Sequence, residues 1–185
     1  MRMPVLLLVA ALMFCLPNLA SSQAQAPKSG PELDKLELWI GDWTLVGTAK
    51  DGPTEAEYKV DWRLRGRRIL GGHFVQIDQV WQGNGPEQHC LEILSYDPIN
   101  RIYNSSAFES DGTTWVSTAT SDGGTYVENG TTRTANAAVV KWRCTWTFSA
   151  DQTDVSGTLE REQDGAWWTS FTVMGTKAKT PARTQ

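Results

Sequence analysis

The sequence is poor in cysteine, histidine and positive charge. Its 185 residues hold three cysteines and two histidines, and 17 basic against 21 acidic residues leave a formal charge of −4. That balance excludes the basic field on which nucleic-acid binding depends. No C-x-x-C pair occurs, so neither a redox motif nor a zinc knuckle is present. No apolar run reaches the roughly 20 residues that a membrane-crossing helix needs. The G-x-S-x-G, H-E-x-x-H, phosphate-loop and calcium-loop patterns are missing. Gly83-x-Gly85 lacks the third glycine and the following helix of a nucleotide fingerprint. No stretch has the length and period of a crossover helix, which argues against a parallel α/β sheet.

What the chain has is aromatic bulk: nine tryptophans, five phenylalanines and four tyrosines. With 40% hydrophobic and 21% charged residues it has the make-up of a folded protein. The length is that of one domain.

Residues 1–26 read as a cleaved secretory leader. Arg2 supplies the positive end, Val5 to Leu16 the apolar run, and Ala24-Gln25-Ala26 the small-x-small cleavage site. Cys15 follows Phe14 rather than a small residue, so it belongs to the discarded segment and not to a lipid anchor. The expected location is therefore periplasmic or extracellular. Residues 27–30 form a linker, 31–179 a single domain and 180–185 a disordered tail. Export permits a bridge between Cys90 and Cys144, which would close a loop of about 55 residues worth roughly 4 kcal/mol. The strand pattern does not clearly place both on one face, and the bridge stays open at this point.

Pro31, Glu32 and Asp34 open a short helix with Leu33, Leu36 and Ile40 on one face, ended by Gly41. Everything after it reads as strand. Ala56, Tyr58, Val60, Trp62 and Leu64 alternate with charged residues over 55–65. Val140, Trp142, Cys144, Trp146 and Phe148 do the same over 139–148. Trp167, Thr169, Phe171 and Val173 share a side over 166–174. Turn signals such as Asp51-Gly52-Pro53, Asp97-Pro98, Asp122-Gly123-Gly124 and Asp164-Gly165 divide the rest. They imply about ten strands in an antiparallel meander, which hides its edges by closing into a barrel. In a membrane barrel the apolar face would meet lipid. The polar 113–120 strand and the basic, polar C-terminus favour the soluble form, with its apolar face inside.

Leu38-Trp39-Ile40-Gly41-Asp42-Trp43, a short helix running into Gly-x-Trp, resembles the opening of lipocalin-like, or calycin, barrels. Further along come Trp62, Arg68-Ile69-Leu70-Gly71-Gly72-His73-Phe74, Ser95-Tyr96-Asp97-Pro98 and Met174-Gly175-Thr176-Lys177. In that order, over residues 31–179, they resemble the bacterial family named domain of unknown function 1579. The resemblance implies an all-β, up-and-down lipocalin-like barrel of an often exported protein, and it carries over no catalytic residues. Gly41-x-Trp43 also resembles the start of nitrobindin-type haem barrels. Those bind haem through a histidine near the C-terminal strand, whereas this chain has only His73 and His89. No cofactor and no metal is expected.

The candidate pocket residues are Tyr58, Trp62, His73, Trp81, Trp142, Trp146 and Phe171. Trp43 and Trp167 are further inward candidates. Gly47, Ala49, Gly71, Ser117 and Ala119 are small residues expected to share the interior. Barrels of this size either fill with side chains or hold one small ligand. Asp61, Glu92, Glu109 and Glu160 read as a solvated face, as does the Arg65, Arg67, Arg68 cluster. The function expected first is an exported module binding a small apolar or aromatic ligand, with no nucleic-acid or membrane partner after cleavage. The alternatives are an isomerase or cyclase with His73 as acid or base, and a filled barrel used for interaction.

Overall fold

The structure, a computed structural model, describes residues 30–136 and 138–179. The expected leader, most of the linker and the 180–185 tail lie outside them. One helical turn, α1 (Pro31–Asp34), continues as a 3₁₀ segment (Lys35–Trp39). Ten strands follow: β1 (Gly41–Ala49), β2 (Tyr58–Ile69), β3 (Phe74–Gln82), β4 (Gln88–Asp97), β5 (Ile102–Glu109), β6 (Thr114–Asp122), β7 (Thr125–Arg133), β8 (Val139–Phe148), β9 (Asp154–Gln163) and β10 (Ala166–Lys177).

Each strand pairs antiparallel with its chain neighbours. β1 pairs with β10, from Trp43↔Lys177 to Ala49↔Phe171, and so closes the ring. Closure leaves no strand edge free to template another chain. The alternation read from the sequence sets the sidedness. Along β2, Val60 and Leu64 are buried while Lys59, Asp61, Arg63 and Arg65 are exposed. Along β2 the charged face is therefore the outer one. Among the described residues no helix is long and apolar enough to cross a membrane.

The N-terminal segment plugs one end. A 3₁₀ winding has three residues per turn. It therefore stacks Leu33, Leu36 and Trp39, all buried, on one side. An α-helical period puts Ile40 on that side; the tighter winding turns Trp39 fully inward, and Ile40 packs against the core partly buried. The Trp39 ring meets Tyr126, Trp146 and Phe148 edge-on, with centroids 5.7, 5.2 and 5.1 Å away. The plug backbone runs so close to β2 that a side chain at Gly66 would overlap the Trp39 carbonyl. Arg68 fastens it. Its Nε donates to Glu37 at 2.5 Å, and its Nη2 donates to the Leu33 carbonyl and to Asp34, both at 3.2 Å. Arg68 is thus a clamp and not part of a solvated cluster.

Two local features depart from strict alternation. Leu70, Gly71 and Gly72 turn with φ of 50, 70 and 90°, so β2 ends at Ile69 and β3 begins at Phe74. In β10 the register with β9 shifts between Thr169 and Phe171. This bulge inserts a residue and flips the sidedness before it. Trp167 consequently points out and is 40% exposed, with the Arg143 guanidinium 4.6 Å from its ring centroid.

Candidate functional site: a cavity inside the barrel

The barrel encloses a cavity of about 190 Å³. Trp39, pushed in by the plug, forms its floor. Asp51, Trp81, Glu109, Trp115 and Arg161 line it at the strand ends remote from the plug. One side is apolar: Val60, Trp62, Leu64, Leu159, Phe171 and Val173 from β2, β9 and β10.

The other side carries a belt of hydrogen bonds across β3 to β8. Gln79 Nε2 donates to Glu92 Oε2 at 2.7 Å, and Ser105 Oγ donates to Glu92 Oε1 at 2.5 Å. Ser105 faces Ser117 across the β5–β6 pair. Ser117 Oγ donates to Glu128 Oε1 at 3.0 Å, and the Trp146 indole N–H to Glu128 Oε2 at 3.2 Å. Cross-strand register is the cause: every member sits at an inward position of its strand.

Loss of hydration raises the Glu92 carboxyl, against the hydrogen bonds from Ser105 and Gln79. Glu128 is pushed up to about 8, first by burial and then by the charge of Glu92. Burial likewise raises Glu109. It lowers Arg161, whose charge Glu109, Tyr58 and Asp51 support from the rim. Arg161 lies 5.4 Å from the Trp115 ring centroid and has no ion-pair partner within 4 Å among the described residues.

Tyr58, Trp62, Trp81, Trp142, Trp146 and Phe171 all line the cavity. His73 does not. It caps the Leu70–Gly72 turn at φ −80°, ψ −14°, ahead of β3, so the inward parity of Val75 and Ile77 does not extend to it. Gly71 belongs to the same turn and to no interior wall. Cys90 and Cys144 are free thiols. Both face the cavity, but β4 and β8 are not neighbours in the ring. Burial raises Cys90 to about 12 and Cys144 well above its ordinary range, so neither is a ready nucleophile.

Glu92 and Glu109 stand inside, contrary to the solvated face expected of them, while Glu160 does lie outside and pairs with Arg143 at 2.6 Å. Around Glu92 both faces of β4 are apolar, Leu91 and Ile93 alternating with Cys90 and Leu94. Hydrophobicity there carries no sidedness. Glu128, Gln79, Trp115 and Arg161 were also missed. The signal that finds them is the register with neighbours whose sidedness is clear, such as Glu128 beside Cys144. Among the described residues no three His, Cys, Asp or Glu side chains converge as a metal site.

This geometry defines a closed up-and-down β-barrel that encloses an amphipathic cavity. The chain belongs to the family described as "Protein of unknown function (DUF1579)", whose model matches residues 28–177. Among solved structures it is similar to the crystal structure of Rv2717c from M. tuberculosis. The identity is 14% and the TM-score 0.61, over 81% of this chain and 99% of that one. At that identity the likeness speaks for the fold alone. No curated protein sequence matches the chain.

Proposed function

We propose that the protein is a binding module whose barrel holds one small, largely apolar ligand. The observation that carries this reading is a set of donors. The indole N–H groups of Trp39, Trp62 and Trp142 and the Nε of Arg161 line the cavity and have no hydrogen-bond partner among the described residues. Buried donors in folded proteins are nearly always satisfied, and one left alone costs about 1–3 kcal/mol. An occupant with acceptor atoms or an aromatic face would answer them while its body covers the apolar wall. The leader-like residues 1–26 support an encounter outside the cytoplasm.

The cavity weighs against a filled barrel. His73, the acid or base of the enzymatic alternative, is absent from the cavity wall. Native mass spectrometry of gently purified protein tests the binding reading. The expected result is a non-covalent small-molecule adduct that disappears on denaturation. Ala107 lines the cavity and is buried. Ala107→Trp should fill the space and give a bare mass with a native circular dichroism spectrum. A bare wild-type mass from several growth conditions would overturn the reading.

A further inference from the structure

We propose that the occupant is a small organic cation, an amine on an aromatic body, with its ammonium group held by Glu92 and Glu128. This rests on the binding reading above and names its ligand class.

The first support is the acidic make-up of the wall. Asp51, Glu92, Glu109 and Glu128 line the cavity, against Arg161 as the one basic residue among the lining residues. An anion entering here would meet four carboxyl groups. The second is unused acceptor capacity. Each carboxylate oxygen of Glu92 and Glu128 accepts one protein hydrogen bond, and a carboxylate oxygen offers two acceptor sites. The belt orients the two groups and leaves them able to take the N–H bonds of an ammonium. The third is the surrounding rings. Trp62, Trp142 and Trp146 line the same space. Aromatic faces attract cations, most strongly where water is excluded. The unanswered indole N–H groups then meet the aromatic body of the ligand.

The two buried carboxyls lack a counter-ion of their own. Both are held toward the protonated form by burial, and Glu128 by Glu92 besides. The titratable groups that face them are Tyr126, Cys144 and Cys90, with Tyr103 beside Tyr126. All four are pushed up and stay neutral at physiological pH. Asp51, Glu109, Tyr58 and Arg161 stand toward the rim. An entering ammonium supplies the missing positive charge. A protonated carboxyl then loses its proton to solvent, the ammonium keeps its own, and no covalent bond changes.

Isothermal titration calorimetry with three probes of one shape tests this: phenethylamine (cation), 2-phenylethanol (neutral) and phenylacetate (anion). Each is titrated at pH 7 in phosphate and in Tris, whose protonation enthalpies differ. Phenethylamine is expected to bind at least about tenfold more tightly than either other probe. Its heat should differ between the buffers as protons are released. In Glu128→Gln and Glu92→Gln the amine preference and the proton release should fall, while 2-phenylethanol binds as before and so reports an intact barrel. Equal or tighter binding of the alcohol or of phenylacetate to the wild type would overturn the cation assignment and leave the binding reading standing. If none of the three binds, the assignment also falls, and the co-purified mass decides the binding reading separately.

Discussion

At the scale of single residues, the interior is decided by side chains that hydrophobic patterning does not register. Tryptophan and tyrosine at alternate positions announced the inward faces of β2 and β8. Glu92 and Glu128 did not announce themselves, because a carboxylate in a strand normally marks the solvated side. Their burial has a measurable consequence. Folded Glu128 keeps its proton up to about 8, against the usual 4.5. Between those values the folded chain binds more protons than the unfolded chain. The stability conferred is complete below pH 4.5, drains as pH rises and is gone above about 8. The unfolding free energy of the unliganded protein, read from urea titrations, should fall from pH 5 to pH 8 by an amount on the order of a few kcal/mol. Glu128→Gln should flatten that decline; an unchanged slope would place the titration elsewhere. Gly157 is a second informative residue. A side chain there would overlap the Trp146 ring. Gly157→Ala should displace that ring from Glu128 and cost about 1–3 kcal/mol in chemical denaturation.

At the scale of elements, the turn signals and the period-two runs made all ten strands legible, because Gly, Asp and Pro fix the chain reversals between them. What was not legible is where the period breaks. The bulge in β10 exchanges the roles of Trp167 and Trp168, and nothing in the Trp-Trp-Thr-Ser-Phe run says which residue is the extra one. The plug shows the same limit. A helix was readable from Pro31, but the 3₁₀ winding that brings Trp39 onto the cavity floor follows from packing against Tyr126, Trp146 and Phe148. The plug is also tied to the barrel by two side chains, Arg68 and Tyr103, whose hydroxyl donates to the Glu32 carbonyl at 2.9 Å. Arg68→Ala should raise amide exchange through residues 31–40 while β4 to β9 stay protected. The expected loss is about 1–3 kcal/mol, since Arg68 bonds both carboxylates and carbonyls. Uniform exchange across the barrel would show the plug and strands opening as one unit.

At the scale of the whole molecule, closure and plugging together leave an amphipathic space. The meander must close to hide its edges. The plug seals one end with Leu36 and Trp39, and bulky rings share the lumen with small residues such as Ala49, Ala107 and Ser105. The sequence pointed to a barrel and to most of its aromatic lining. It could not show the polar belt, because that belt is assembled from single residues on six strands and exists only through register. The proposed entry of a small ligand into this space is open to direct observation. Side-chain indole ¹H–¹⁵N spectra test it most directly during titration with 2-phenylethanol and phenethylamine. The resonances of Trp39, Trp62, Trp115 and Trp142 should move, while that of Trp167 on the outer wall stays fixed. Movement of Trp167 alone, with the four interior indoles unchanged, would contradict the claim.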